Sequence, residues 1–271
     1  METLPMIPIT GWDATGAAVK AAVTEKLIPA LERMGVGLFF PATAEQKPTK
    51  AVPFADLGVM ETRVRPYSHS IPQFAFLLSG EGWIYVRGKW YHLREGQGIF
   101  VPKDCPYFPH GMAGNLFPEG HWLWIGIHPF GAAIHHCQLA QNAHYHSPIY
   151  VVVDERVFWL FQEWETEAIV RGNSTSLISK SLLLAMFRFL AESTPIPVSV
   201  WAEINLMLSE LPATLKCAVF QIVKRYDEPC GLKNLAKLCR VSPFHLCRLF
   251  RQHLGVTPKT FLQRLRLKVA K

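Results

Sequence analysis

Residues suited to contacting a nucleic acid are concentrated in one short segment near the C-terminus. On a helical wheel of about 100° per residue, residues 243–254 divide into two sectors. The sector that we expect to be buried holds Leu246, Leu249, Phe250 and His253. The opposite sector holds Phe244, Cys247, Arg248, Arg251 and Gln252. Arginine binds guanine or phosphate, and an apolar ring contacts the methyl group of thymine, so the pattern predicts a DNA-reading helix.

The residues around this segment predict where the helix begins and ends. Ser242 suits the N-cap, Pro243 suits the first helical position, and Gly255 favours termination. Neighbouring helices are predicted at 213–226, at 232–239 and from Thr257 onward. The short helix, the turn and the DNA-reading helix together form a helix-turn-helix pattern.

Positive charge is concentrated in the same part of the chain. The 271 residues carry a formal net charge of +7. Residues 211–271 hold 13 Lys or Arg but only Asp227 and Glu228 as acidic residues, whereas residues 1–210 are net negative. Such a charge step favours a polyanionic partner, with a solvated basic helix surface as the alternative.

Short apolar runs separated by turn residues predict many strands between residues 51 and 130. We expect tight turns at 79–82 and 87–89, because both stretches contain glycine. The predicted strands span residues 74–78, 83–86, 90–93, 99–101 and 121–128. This pattern is typical of a β-barrel or jelly roll. After Pro148 the spacing becomes helical, with three amphipathic helices predicted between residues 157 and 211.

Alternation along the strand at 121–128 separates aromatic from aliphatic side chains. Trp122 and Trp124 share one face with His128, whereas the other face is aliphatic. If the aromatic face turns inward, it would form a stacking pocket for a sugar or a flat aromatic effector, with simple core packing as the alternative. The other rings expected in this pocket are Phe74, Phe76, Trp83 and Tyr85. The expected polar contacts are Arg63, Arg65, His92 and His110.

The segment GLKNLAKLCRVSPFHLCRLFRQHLGVTPKTFLQRLRLKVAK resembles the first helix-turn-helix and connecting helix of the AraC/XylS family of transcription regulators. The SP-x-x-L-x-RLF core at 242–250 and the RL-x-x-A element at 266–270 carry the resemblance. It implies that 232–239 is the supporting helix and 244–254 the recognition helix. The resemblance implies base contacts from Phe244, Cys247, Arg248 and Arg251, and phosphate contacts from His245, Gln252 and Lys268. The family carries a second helix-turn-helix, which is not found before Lys271, so we expect weaker binding per chain.

The run FAFLLSGEGWIYVRGKWYHLREGQGIFVPKDCPYFPH resembles the cupin-type effector-binding barrel of the same family. The resemblance implies an α+β protein, a jelly-roll barrel followed by helices, that binds double-stranded DNA and a small-molecule effector as a homodimer. The expected domains are an N-terminal arm at 1–50, a barrel at 51–150, a helical dimerisation or linker region at 151–211, and a DNA-binding domain at 212–271.

Two other functions remain open at this point. A metal-dependent cupin enzyme is one, because nine of the eleven histidines fall between residues 69 and 146. Their spacing argues against it, since Pro102-Lys103-Asp104-Cys105-Pro106 is followed by Tyr107 where catalytic cupins place a histidine. The other is a sensing or dimerisation protein that does not bind DNA. We expect no enzyme activity, metal or cofactor, since other catalytic motifs are not found.

Composition indicates an ordinary globular protein, at 49% hydrophobic and 18% charged residues. No apolar run is long enough for a membrane span, and the N-terminus does not resemble a signal peptide. The six cysteines show no CxxC pair, which fits free thiols in a reducing compartment. We therefore expect a soluble cytoplasmic protein with no membrane partner.

Overall fold

The computed structural model describes residues 15–34, 39, 68–110, 120–140 and 143–270. These residues form an α+β protein with an antiparallel sheet, helices packed on one face of the sheet, and a C-terminal group of helices. The expected fold class is therefore confirmed. Within these ranges, no helix is both long enough and apolar enough to cross a membrane.

The strands pair in the order β2-β1-β5-β6-β8-β9, with β3 and β4 also paired to β1 and β7 paired to β6. They are β1 (Gln73–Val86), β2 (Lys89–Arg94), β3 (Gly98–Val101), β4 (Tyr107–His110), β5 (Gly120–His128), β6 (Gly131–Ala140), β7 (Ala143–His146), β8 (Tyr150–Val153) and β9 (Ile196–Pro197). The first half of β1 pairs with β3 and β5, and its second half pairs with β2 and β4. One long strand therefore links two sheets, as in a jelly roll.

The predicted chain reversal at 79–82 is wrong. β1 continues through these residues, with a shift in register between Leu77 and Ser79 and a positive φ of 80° at Gly80. Glycine and a register shift bend a strand as readily as they form a turn, so the sequence pattern was ambiguous. The turn at 87–89 is confirmed, since Arg87 and Gly88 both have positive φ and join β1 to β2 as a two-residue hairpin loop.

The helices are α1 (Gly16–Ala21), α2 (Ile28–Met34), α3 (Glu155–Glu165), α4 (Leu177–Glu192), α5 (Val198–Leu208), α6 (Ala213–Lys224), α7 (Leu232–Leu238), α8 (Pro243–Leu254) and α9 (Pro258–Val269). A π-helical segment, Ala22–Leu27, joins α1 to α2, and another, Thr166–Val170, extends α3. The predicted amphipathic helices between 157 and 211 correspond to α3, α4 and α5.

The main sheet has two buried faces with different partners. One face packs against α1–α4 and contains the aliphatic side of β5, namely Leu123, Ile125 and Ile127. The other face encloses the barrel interior, where Trp122 and Trp124 pack with Leu93 and Val101. Buried residues of α1, α2 and the π-helical segment between them belong to the first core, so residues 16–34 of the expected arm are part of this domain. We call β1–β8 with α1–α4 the sheet domain.

The C-terminal helices α6–α9, which we call the head, form a third apolar core. Leu215, Val219, Leu246 and Phe250 are fully buried in it. The same core includes Val151 and Val153 of β8, Ile196 of β9, and the buried face of α5. The head is therefore packed directly against the sheet domain.

Candidate functional site

The boundaries of α8 are those expected from its flanking residues. The Ser242 hydroxyl accepts a hydrogen bond from the His245 amide at 3.1 Å, and Pro243 occupies the first helical position. Gly255 ends the helix in the left-handed conformation, φ 66°, and its amide donates to the Arg251 carbonyl. The predicted span of 243–254 is confirmed.

One side of α8 holds it against the rest of the head. Leu246 and Phe250 are fully buried, and Leu249 is half-buried. His253 was expected on this side, but it is exposed. A helical wheel gives the angle around the axis and not the position along it, and His253 lies in the last turn, where the side facing the head is no longer covered.

The other side of α8 faces away from the protein. Phe244 is 82% exposed, and Arg248, Arg251 and Gln252 are also exposed. Arg248 Nη2 lies 3.3 Å from Nδ1 of His245, one turn earlier. A large apolar ring and guanidinium groups are thus presented together on one exposed side of the helix. We call this set the reading face: Phe244, His245, Arg248, Arg251 and Gln252.

Cys247 differs from the other residues of its predicted sector. It is half-buried and lines a cavity of about 420 Å³ between α7, α8 and α9, together with Cys230 and Leu262. Its side chain therefore lies at the edge of the reading face and is directed partly toward α9.

The turn between α7 and α8 adds a cation that the sequence pattern did not indicate. The amide of Val241 donates to the Ala236 carbonyl and that of Arg240 donates to the Lys237 carbonyl, the hydrogen bonds of a Schellman motif. Arg240 occupies the left-handed position of this motif, with φ 55°, and its side chain is exposed. Because glycine is usual there, an arginine was not expected from turn chemistry.

Two basic residues of α9 are engaged within the protein. Arg266 Nε donates to the Tyr226 carbonyl at 2.6 Å, and its Nη2 donates to the Glu228 carbonyl at 2.7 Å. Lys268 forms an ion pair with Glu203 of α5. Lys268, predicted to contact phosphate, therefore already has an anionic partner in this structure.

In the sheet domain, the predicted aromatic residues divide among three locations. Trp122 and Trp124 lie in the barrel interior with Tyr107, whose hydroxyl donates to Gln73 Oε1 at 3.2 Å. The Trp122 indole lies against Gly82 and Gly120, where an added Cβ would approach the ring to 2.6 and 3.2 Å. Its buried Nε1 has no hydrogen-bond acceptor within the described ranges. The interior therefore contains an indole donor that is free to bind an acceptor.

Phe74 and Phe76 do not belong to that interior. They pair directly with Ile125 and Leu123, so they share the aliphatic face of β5 and pack against the helices. The expectation that these rings face Trp122 and Trp124 is wrong, because it required a strand register that the sequence does not specify.

Trp83, Tyr85 and His92 also lie outside the barrel interior. Trp83 stacks on His92 with ring centroids 4.7 Å apart, on the face of the β1–β2 hairpin opposite Ile84 and Val86. Their assignment to the pocket is corrected accordingly. Arg63 and Arg65 lie outside the described residues, as does the side chain of His110.

Sequence reasoning missed the interior polar residues Gln73 and Tyr107. Gln73 is the polar residue in the apolar first half of β1. It lies on the same face as Ala75 and Leu77, which line the barrel interior, so side-chain alternation along β1 could have identified it. Nearby, the His69 and Tyr107 rings lie 5.7 Å apart, and burial lowers the pKa of His69. The lowered pKa favours the uncharged form of the His69 imidazole at neutral pH.

Titratable groups in the described ranges do not form a metal centre. No group of three or more His, Cys, Asp or Glu side chains is arranged there to hold a metal ion. Burial raises the pKa of Cys137, in the barrel interior, to about 12. Because only a thiolate is a good ligand or nucleophile, this cysteine is inert at neutral pH.

Comparison with known proteins gives matches to both halves of the chain. Residues 222–263 match the family described as bacterial regulatory helix-turn-helix proteins, AraC family. Residues 55–187 match the AraC-like ligand binding domain. An uncharacterized HTH-type transcriptional regulator of Haemophilus influenzae is 23% identical over 217 residues, which cover 73% of this chain and 71% of the relative. No solved structure gives a significant match.

Proposed function

Since this chain is a transcription regulator of the AraC family, with that family's ligand-binding domain and its helix-turn-helix, we propose that α8 reads DNA in the major groove through its reading face. Arg248 and Arg251 bind guanine edges or phosphates, and Phe244 contacts a thymine methyl group. Arg240, in the turn before α8, and the α7 lysines, Lys233 and Lys237, are also exposed. They bind phosphates, which fixes the orientation of α8.

The observation that carries this proposal is the exposure of Phe244. A phenylalanine that is 82% exposed gains nothing in folding from its position. Together with the adjacent Arg248, it matches the apolar and hydrogen-bonding contacts that a base edge requires. A solvated basic surface would not call for this ring.

We propose that the protein acts as a homodimer, so that two heads meet two spaced half-sites. Exposed apolar side chains at the end of the α3–α4 hairpin support a surface for this contact: Ile169, Val170, Leu177 and Ile178 are between 38% and 79% exposed. Apolar side chains clustered on a surface usually mark an interface. A DNA partner also supports a cytoplasmic location, which we include in the proposal.

We propose that the effector is a flat aromatic molecule or a sugar bound in the barrel interior. Trp122 supplies a hydrogen-bond donor, Trp124 a stacking surface, and the Gln73–Tyr107 pair further polar contacts. Uncharged contacts of this kind suit an uncharged ligand. Effector binding then favours one of the head orientations that the protein already adopts without effector. No catalytic step is required of the residues involved.

DNA selection tests the proposal. Duplexes that bind the wild-type protein are selected from a random-sequence pool, and the affinity of Arg248→Ala for them is then measured. We expect a loss of about 1 to 3 kcal/mol in specific binding free energy, with relaxed preference at one base position. Arg188→Ala is the matched control, because Arg188 is also exposed but pairs with Glu32 on the sheet domain. An equal loss on selected and random duplexes would assign Arg248 to a phosphate and remove the base-reading role.

A further inference from the structure

A buried carboxylate lies where the sheet domain meets the head. The Asp154 side chain is fully buried at the end of β8, where it caps α3. It accepts hydrogen bonds from Arg156 Nη2 at 2.6 Å and Nε at 3.0 Å. Lys224 Nζ lies 2.6 Å from the same carboxylate. One anion is therefore compensated by two cations.

The two cations come from different parts of the molecule. Arg156 belongs to α3, and its guanidinium also lies 3.7 Å above the Phe189 ring of α4, so its contacts are within the sheet domain. Lys224 is the last residue of α6, the first helix of the head. The Asp154–Lys224 pair therefore crosses the junction, whereas the Asp154–Arg156 pair does not.

Other contacts across the junction are neutral or exposed. Tyr226 donates to the Pro195 carbonyl at 3.3 Å, and Thr194 donates to Asp227 at 2.6 Å. The ring of Phe130 lies 4.8 Å from that of Trp201 in α5, which in turn lies 5.9 Å from the ring of Phe220 in α6. Apolar packing of this kind holds two surfaces together without fixing their orientation tightly, whereas a buried ion pair requires a specific geometry.

The segment that carries Asp154 is also in close contact with the barrel wall. Gly131, at the start of β6, has φ 138°, and an added Cβ there would lie 2.1 Å from the Val152 carbonyl oxygen and 2.8 Å from the Asp154 amide. The next strand positions of β6 pair with β5, which carries Trp122 and Trp124. A displacement of β6 would therefore be transmitted directly to Asp154.

We propose that the Asp154–Lys224 ion pair is the contact through which the sheet domain sets the orientation of the head. With the pair formed, α6 and the helices packed on it follow any movement of β8. With the pair broken, the head stays folded but loses its fixed orientation. The effect of the ion pair on the head orientation does not depend on DNA. The consequence of that orientation for DNA binding rests on the function proposed above.

The test compares Lys224→Met with Arg156→Met in the full-length protein. Each variant removes one cation from the same carboxylate, but only the first breaks the link across the junction. Hydrogen exchange of β8 and α6 is measured by mass spectrometry without DNA. We expect exchange in both elements to be about tenfold faster in Lys224→Met, the effect of losing one charge-assisted hydrogen bond. Arg156→Met should leave α6 unchanged.

A conservative variant guards against simple misfolding. Lys224→Arg keeps the cation and should restore the wild-type exchange of both elements. The proposal is overturned if Lys224→Met exchanges like the wild type, or if Arg156→Met affects α6 to the same extent.

A second measurement uses a duplex selected by the wild-type protein from a random-sequence pool. Because coupling between two sites is reciprocal, saturating duplex should slow exchange in β8 of the wild type and of Arg156→Met. In Lys224→Met the duplex should protect α8 alone. Equal protection of β8 in Lys224→Met would refute the coupling. If the wild type selects no duplex, the DNA-reading function fails, while the measurement without DNA still decides the role of the ion pair.

Discussion

The sheet domain and the head use their aromatic residues in opposite ways. Trp122 is fully buried, and its ring fills the space left by Gly82 and Gly120. Phe244 is 82% exposed on the outer side of α8. We propose that both rings bind ligands, of which one must enter the protein and the other is a surface that the protein approaches.

The difference determines how function and stability are related in each region. In the barrel, the residues that we propose to contact the effector also belong to a packed core, so one substitution should affect both properties. On α8, the contacting side and the packing side are separate, so the two properties can be changed independently. The predictions below test this contrast.

The largest effect is expected from removing the buried ring, with removal of the exposed ring as the comparison. Trp122→Ala should lower the free energy of unfolding by about 3 to 5 kcal/mol, because it removes a large buried side chain. Phe244→Ala should change the same quantity by less than about 0.5 kcal/mol, because the ring is largely in solvent. Urea denaturation of the two variants measures both values.

Phe250→Ala is the control for the head. Phe250 is fully buried on the same helix as Phe244, so its loss should also cost about 3 to 5 kcal/mol. If Phe244→Ala proved as destabilising as Phe250→Ala, the reading face would be a packing surface and the contrast between the two regions would disappear.

An intermediate effect is expected from pH, through Asp154. Burial alone would raise the pKa of this carboxyl, but hydrogen bonds and attraction from Arg156 and Lys224 outweigh burial and lower it. The unfolded chain therefore binds the proton first, near the usual Asp pKa of about 3.9. The stabilisation is complete above that pH and is lost as pH falls through the lowered pKa, by at most about 1.4 kcal/mol per pH unit.

Denaturation curves at a series of pH values below 5 give this slope. Asp154→Asn should flatten it, while substitution of an exposed carboxylate such as Glu210→Gln should leave it unchanged. A wild-type slope that persists in Asp154→Asn would assign the acid sensitivity to other groups.

The smallest effect is expected at the turn before α8. Arg240→Gly should stabilise the head by about 0.5 to 1 kcal/mol, because glycine adopts a positive φ without strain. Thermal unfolding detects this gain. If Arg240 binds a phosphate, the same variant should also reduce the slope of the logarithm of DNA affinity against the logarithm of salt concentration by about one. Loss of stability would indicate that the arginine makes a contact worth more than the strain.

The head could be derived almost completely from its sequence, because its determinants are local. Ser242, Pro243 and Gly255 fix the bounds of α8, and the apolar spacing identifies Leu246 and Phe250 as its inner side. The error at His253 arose because a wheel contains no information on how far the neighbouring helices extend. Likewise, the partners of Lys268 and Arg266 lie 65 and 40 residues away in the chain, which no local pattern can indicate.

The barrel was less predictable because its site depends on register between distant strands. Alternation correctly placed Trp122 and Trp124 on one side of β5 and the aliphatic residues on the other. Phe74 pairs with Ile125, so the two side chains lie on the same face of the sheet. A shift of one residue, to pairing with Trp124, would place Phe74 on the face of the tryptophans, and the sequence does not specify the pairing of strands about fifty residues apart. The same ambiguity concealed the contact between Gln73 and Tyr107, which lie 34 residues apart in the chain.

The hydrogen bonds that Arg266 donates to the Tyr226 and Glu228 carbonyls have a practical consequence for protein engineering. They tie the loop after α6 to the last helix, while the Tyr226 hydroxyl is bound to Pro195 on the other side. A chimera that joins this effector domain to a foreign DNA-binding module at residues 225–230 would replace α9 and so lose both hydrogen bonds from Arg266 to this loop. A fusion joint at 209–212, before α6, would take the loop and the last helix from the same protein. The incoming sequence would then need a lysine at 224 and a tyrosine at 226 to keep the contacts with Asp154 and Pro195.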